Sequence, residues 1–294
     1  MKKIVLTGAG GMLGTEILNL MKDDLNYEVF AITSQTEKLT YIYSEFSNIN
    51  IFNIKQISQD IMNNSIFINC SFPRENDGYK LSRAIDYTEN ILQLFVKYKG
   101  KLFINISSQS VYKQSGDIIQ TEFDEVSPSN MYGLTKYSIE KLVESYSVNN
   151  KQAFVNLRLG SLAGENFDQR MINRFIKKSL NGESIQVDRG NPIVSYLNIN
   201  DAAEAILKVV KAESTKYNLY NLGNNDFMSI YELATYCANL VKESTNNTIN
   251  ILLNDTESNY NNVINNNRFY DEFNWQPQCD MQNLCKLIYE FISI

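Results

Sequence analysis

The sequence predicts an α/β fold, a doubly wound parallel sheet with a smaller mixed α/β lobe. Two observations carry this. Through the first 160 residues, short apolar runs alternate with amphipathic helical segments, the order that lays helices on both faces of a parallel sheet. The first apolar run also leads directly into a glycine-rich turn that opens a helix. With 294 residues, 44% of them hydrophobic, the chain can build one large domain or a domain plus a lobe.

Taken in order, residues 2–6 form a short apolar strand and residues 12–22 an amphipathic helix. Strands are expected at 27–33, 49–54, 65–70, 101–107 and 153–159, with helices at 82–98 and 131–146. The second half is less regular. Helices are expected at 169–180, 200–211 and 229–242, and strands at 184–187 and 217–222. Ser229 caps the helix at 229–242, with Glu232 three residues on. Residues 246–267 are polar and mixed, with one strand-like run at 249–253. No internal repeat or low-complexity linker breaks the chain.

Composition removes several functions. The net charge is -6 and no long basic run occurs, so nucleic acid and anionic membrane are not expected partners. No apolar stretch is long enough to cross a bilayer. The opening Met1-Lys2-Lys3-Ile4-Val5-Leu6 could begin a signal peptide, but the apolar region never develops, and a cytoplasmic protein is expected. The cysteines at 70, 237, 279 and 285 are not closely paired and read as ordinary thiols. The chain has no histidine, which removes Ser-His-Asp and Cys-His catalysis and histidine-ligated metals, and no metal site is expected. The sequons at Asn69 and Asn105 fall on expected buried strands, so they are not glycosylation sites, and the many asparagines read as compositional bias.

Thr7-Gly8-Ala9-Gly10-Gly11-Met12-Leu13-Gly14 joins the first strand to the first helix. Gly8 permits a tight turn, Gly11 lets backbone approach a pyrophosphate, and Gly14 allows close helix–strand contact. The helix N-terminus offers unpaired N–H groups and a partial positive charge to phosphates. The plainer reading is a glycine turn with no ligand; placement between strand and helix favours a Rossmann-type dinucleotide site that also includes Met12 and Leu13. The second strand ends Ala31-Ile32-Thr33-Ser34-Gln35, with no carboxylate to repel a 2′-phosphate and with Lys38 near. The missing acid tilts the expected cofactor from NAD toward NADP; alternatively Thr33 or Ser34 holds an unphosphorylated ribose. Cys70, closing the strand at 65–70, joins this cofactor-binding set. Residues 1–160 are then the dinucleotide-binding domain, with 192–224 returning to it. Residues 161–191 and 225–294 make up most of a substrate lobe.

Tyr132 and Lys136 stand one helical turn apart on one face. A lysine cation favours the phenolate of a nearby tyrosine, whose unperturbed pKa is about 10. Such a tyrosine can exchange a proton with a carbinol or carbonyl oxygen. Taken alone, the pair reads more simply as a surface i,i+4 pair. Ser108, in Ser107-Ser108-Gln109-Ser110-Val111-Tyr112, lies at the C-terminal end of a strand, where ligands bind in open parallel sheets. Its plainer reading is the start of a loop.

Together these residues resemble the extended short-chain dehydrogenase/reductase family, in its nucleotide-sugar epimerase/dehydratase group. The resemblance also rests on Leu157-Arg158-Leu159-Gly160-Ser161, Leu197-Asn198-Ile199-Asn200-Asp201-Ala202-Ala203, Tyr220-Asn221-Leu222-Gly223 and Asn274-Trp275-Gln276-Pro277. It implies that Ser108 orients the substrate oxygen and Tyr132 is the acid/base. Lys136 would bind the nicotinamide ribose and tune Tyr132. It also implies a nucleotide-sugar substrate and allows a homodimer.

Departures from the family pattern narrow the reaction. Gln109-Ser110 stands where 4,6-dehydratases carry an Asp-Glu pair, and decarboxylating members have Glu at the position of Ser110. Ser161 replaces a substrate-contacting Asn, and Val194 an Arg that grips the diphosphate. Arg170, Arg174 and Arg189 are candidate replacements, against a plainer reading of each as a solvated charge. Ser108, Gln109, Ser161 and Arg174 form the expected substrate-binding set. The expected activity is a 4-ketoreductase of a nucleotide-linked 4-keto sugar. A 4-epimerase is the alternative, and a non-catalytic dinucleotide sensor or scaffold is the alternative of another class.

Overall fold

The apolar run after Met1 forms β1 (Lys2–Thr7), and the glycine turn leads into α1 (Met12–Met21). There follow β2 (Tyr27–Ile32), α2 (Thr36–Ile42), β3 (Ile49–Phe52), α3 (Gln59–Met62), β4 (Ile66–Asn69) and α4 (Gly78–Lys97). Then come β5 (Leu102–Ser108), α5 (Met131–Asn150), β6 (Ala153–Leu159) and β7 (Leu162–Ala163). The second half contains α6 (Met171–Leu180), β8 (Ile185–Gly190), β9 (Ile193–Val194), β10 (Leu197–Asn198), α7 (Ile199–Ala212) and β11 (Leu219–Leu222). It ends with β12 (Met228–Ser229), α8 (Ile230–Thr245), β13 (Ile251–Ser258), α9 (Asn267–Phe273) and α10 (Met281–Ile292). This is a computed structural model, and it describes residues 1–73, 77–190, 192–245 and 248–293. Positions 246 and 247 of the polar segment lie outside the described residues.

Seven of these strands form one parallel sheet in the order β11-β6-β5-β4-β1-β2-β3. The order reverses between β1 and β4, so the crevice beyond their C-terminal ends is the switch point where such sheets bind ligands. Alternation along the strands splits the core. Ile4, Leu6, Val29 and Ala31 face α1 and α7, while Val5, Phe30, Phe67 and Phe103 face α4 and α5. A third cluster forms the lobe, where α6, α8 and α10 pack around β8. Phe269 and Trp275 belong instead to the main sheet's core, with Phe269 packing against both Tyr220 and Trp275, so this late stretch returns to the sheet.

Four polar side chains run through the sheet in register. Thr7, Asn69, Asn105 and Asn156 are direct neighbours across β1, β4, β5 and β6. The Thr7 hydroxyl donates to Asn69 Oδ1 at 3.0 Å, Asn69 Nδ2 to Asn105 Oδ1 at 3.2 Å, and Asn105 Nδ2 to Asn156 Oδ1 at 2.8 Å. All four are buried. Each amide supplies the partner that burial of the next requires, and a one-residue slip would leave the row unsatisfied. These asparagines therefore do structural work beyond compositional bias.

Other elements differ from expectation at their ends. The strand expected to reach residue 54 stops at Phe52, because Asn53 and Gln56 form a reciprocal cap that starts a 3₁₀ turn. α4 starts at Gly78, four residues before its expected start, because Asp77 caps it by accepting from Lys80 N. Ser229 and Glu232 form the expected reciprocal bonds at the start of α8.

Candidate active site

The glycine loop lies against the end of β4. Gly8 has φ +70, and a Cβ there would come within 2.8 Å of the Cys70 carbonyl group and of Ser71 N. Only glycine fits both that conformation and that approach. Gly11 is the N-cap of α1 with no side-chain cap bond, Met12 and Leu13 begin the helix, and no acid stands in its first turn. Among the described residues no side-chain cap bond and no first-turn acid claims its positive end, and Gly14 is buried one turn in. The arrangement suits a dinucleotide pyrophosphate. At the end of β2, Thr33 is half-buried and its hydroxyl accepts from Gln35 N at 3.0 Å. Ser34 and Lys38 are exposed, Lys38 in the first turn of α2.

Ser108 closes β5. Its Oγ accepts from Ser110 N at 3.1 Å and so caps the 3₁₀ turn at Gln109–Val111. The first turn of α5 sits flush on that turn, since a Cβ on Gly133 would come 2.0 Å from the Ser110 carbonyl oxygen. Asn130 caps the helix by accepting from Gly133 N at 2.9 Å. This seating fixes Tyr132, the preceding residue, beside the end of β5.

Lys136 is buried one turn further along. Its Nζ donates to the Ile106 carbonyl oxygen at 2.7 Å and lies 3.9 Å from the centre of the Phe72 ring. The rings of Phe72 and Tyr132 are 5.1 Å apart and nearly perpendicular, at 86°. Tyr132 and Lys136 therefore meet on one aromatic ring. Burial pushes the Lys136 ammonium down to about 7, against the opposing pull of Cys70 and Glu140. Burial likewise pushes the Cys70 thiol up to about 12, with Lys136 opposing.

Beneath Lys136, Glu140 accepts from Arg158 Nε at 3.0 Å and from its terminal nitrogen at 2.7 Å, and also from Ser107. Arg158 donates to the Tyr112 hydroxyl at 2.7 Å, which donates to Asn221 Oδ1 at 3.0 Å. Burial works against the Arg158 cation, but Glu140 and Tyr112 outweigh it and hold its pKa above the ordinary value.

Next to Ser108, Gln109 Nε2 donates to Ser161 Oγ at 3.2 Å, and Gln109 Oε1 accepts from Gln114 Nε2 at 2.7 Å. Asn262 Nδ2 also donates to Ser161 Oγ, at 3.0 Å. Asn262 is a site residue the sequence reading missed, because it sits in the polar 246–267 segment with no motif around it. The segment that carries it is bonded to the loop after Ser108 by Gly116 N to Asn259 O, Asn261 N to Gln114 O and Asn265 N to Gln120 O. Arg174 is exposed on α6. Arg170, the N-cap of α6, is half-buried and acts more strongly on Tyr196, and also on Tyr260. Val194 is buried in the lobe core, and Arg189 is paired with Asp255 at 3.4 Å. Among the described residues, no cluster of three or more acids or thiols could hold a metal, and no helix is long and apolar enough to cross a membrane.

A parallel sheet with its switch point at a glycine loop, and a serine, tyrosine and lysine on the adjoining strand and helix, is the arrangement of the short-chain dehydrogenase/reductase class. The chain belongs to the NAD-dependent epimerase/dehydratase family, whose family model matches residues 4–223. It is similar to human dTDP-D-glucose 4,6-dehydratase, 27% identical over 278 residues that cover 83% of this chain and 75% of that enzyme. It also resembles a trifunctional UDP-glucose 4,6-dehydratase/UDP-4-keto-6-deoxy-D-glucose 3,5-epimerase/UDP-4-keto-L-rhamnose-reductase of Arabidopsis thaliana. The two are 24% identical over 277 residues, 84% of this chain and 41% of that longer enzyme. The fold matches a Bacillus anthracis dTDP-glucose 4,6-dehydratase in complex with NAD at a TM-score of 0.84, with 16% identity, over 100% of this chain and 97% of that one.

The seating of α5 is testable. Gly133→Ala should destabilise the protein by about 1–3 kcal/mol through overpacking. Gly78→Ala, in a helical first turn where a Cβ meets nothing within 4 Å, should change stability by less than about 1 kcal/mol. Urea denaturation of both variants measures the difference, and equal midpoints would refute the close packing.

Proposed function

We propose that this enzyme transfers hydride to a keto group of a nucleotide-linked sugar, as a 4-ketoreductase. The observation that carries the reaction class is Gln109. It follows Ser108 directly, and its amide is bonded to Ser161 and Gln114. Water elimination from a hexose needs an acid and a base at this point, and Gln109 and Ser110 supply neither. When bound, the nicotinamide supplies the hydride. Ser108 holds the sugar oxygen, and Tyr132 gives it a proton. The Lys136 cation stabilises the resulting phenolate, and Glu140 holds the region of Lys136 negative from below. Residues 1–160 with much of 192–224 carry the cofactor in this reading, and the lobe carries the sugar. Arg170 is the better candidate than Arg174 for the diphosphate, being half-buried against Tyr196 and Tyr260.

NADP is the proposed cofactor. No carboxylate follows β2, and exposed Lys38 offers a cation for a 2′-phosphate. The same three catalytic groups would serve a 4-epimerase, which retains its cofactor through turnover. A reductase must exchange it, and the preference for a phosphorylated cofactor favours the reductase. A pure sensor would have no use for the acid/base pair.

Three outcomes are expected. Calorimetry should find micromolar binding of NADPH, tighter than NADH; tighter NADH binding would overturn the NADP assignment, and binding of neither would overturn the whole proposal. Incubation of dTDP-glucose or UDP-glucose with enzyme and NAD should yield no 4-keto-6-deoxy sugar by mass spectrometry, and its appearance would restore a dehydratase. Tyr132→Phe should slow single-turnover hydride transfer by roughly two to four orders of magnitude with cofactor affinity nearly unchanged. A rate within a few fold of the parent would remove Tyr132 from the mechanism.

A further inference from the structure

We propose that Phe72 is a positioning residue of this site, holding the Lys136 ammonium and the Tyr132 ring against one aromatic surface. The inference rests on the redox role proposed for those two residues. Phe72 follows β4 by three residues, beyond the Cys70–Ser71 peptide that the Gly8 turn touches. Its ring is half-buried and is anchored on the apolar core between the sheet and helices α4 and α5. Above that anchor it meets two polar working groups.

The contact with Lys136 has a definite electrostatic sense. Nζ lies 3.9 Å from the ring centre, where the negative face of the π system favours an ammonium over a neutral amine. The Tyr132 ring stands perpendicular to the same ring at 5.1 Å, the arrangement aromatic pairs prefer. The titratable groups facing Lys136 are Cys70 from the end of β4 and Glu140 from its own helix, with Tyr132 one turn away, and β5 contributes the Ile106 carbonyl. Desolvation drives the proton off Lys136, and the ring opposes it together with Cys70, Glu140 and the Ile106 carbonyl. Phe72 thus helps keep the cation that Tyr132 needs, in a place where water cannot do so. A leucine would fill similar space and exclude water without the π face.

The test compares Phe72→Leu with Phe72→Tyr. Lys136 is titrated by NMR in ¹³C-lysine-labelled protein, its signal assigned with Lys136→Arg. The oxidative half-reaction is followed by absorbance with NADP or NAD and a panel of UDP- and dTDP-hexoses. Losing the ring face disfavours the ammonium, so Lys136 in Phe72→Leu should lose its proton roughly half to one pH unit lower. The phenol is then harder to ionise, and the alkaline rise of the half-reaction should move upward by a similar amount. The rate at pH 7 should fall about tenfold, with sugar affinity changed less than about threefold. Phe72→Tyr keeps the ring and should restore most of the rate. A Phe72→Leu enzyme that titrates and reacts within twofold of the parent overturns the proposal, as does a Phe72→Tyr enzyme as slow as Phe72→Leu. If the parent reduces neither cofactor with any sugar, the redox reading falls; a moved Lys136 titration would still uphold the ring–ammonium contact, and an unmoved one would overturn both.

Discussion

The buried pair between Glu140 on α5 and Arg158 on β6 is the constraint around which the site is arranged. Both side chains are 4% exposed. Taking two charges out of water is costly, and the cost is offset only when every donor and acceptor finds a partner. Here the carboxylate takes both nitrogens of one edge of Arg158, Nε and Nη2, and Ser107 as well, while the guanidinium also binds Tyr112. Tyr112 passes the network to Asn221 on β11, whose N–H donates to Glu122 at 2.7 Å. One pair thus joins α5, β5, β6, β11 and the loop after Ser108. Charged hydrogen bonds are directional, so this network sets the rotation of α5 about its own axis more sharply than apolar packing would.

That rotation decides where the working groups stand. Lys136 is one turn before Glu140 and Tyr132 one turn before Lys136, so all three share a stripe. Gly133 sets the height of the helix over the end of β5, and the Glu140–Arg158 network sets its rotation. Lys136 is then carried into an apolar, water-poor position where it donates to the Ile106 carbonyl of the sheet. A lysine in such a place holds its proton weakly, and the groups around it decide how weakly.

Much of this was legible in the sequence because it depends on local pattern. The Gly8, Gly11 and Gly14 spacing, the Tyr132–Lys136 interval and the alternating strands state their geometry within a few residues. Residues whose role depends on tertiary register were not legible. Asn69, Asn105 and Asn156 become a row only once β4, β5 and β6 are paired. Phe72 is one apolar residue between a serine and a proline until the direction of β4 points it over Lys136. Asn262 enters the site because its segment is bonded to a loop more than 140 residues earlier. The stripe of Met281, Leu284, Cys285 and Ile288 in α10 follows ordinary helical spacing, although no helix is among the expected elements beyond Pro277.

The bonding between the loop after Ser108 and the segment at 259–265 has a mechanical consequence. The loop leaves the strand that ends in Ser108, and the segment lies between the lobe strand β13 and the sheet-bound helix α9. A displacement of the lobe that pulls on this segment is transmitted as backbone tension to the turn Ser108 caps. Ser161 receives the same movement through Asn262, and Gln109 through Ser161. These bonds couple the lobe to Ser108, so that in the proposed reaction a shift at the lobe is felt at the residue assigned to the sugar oxygen.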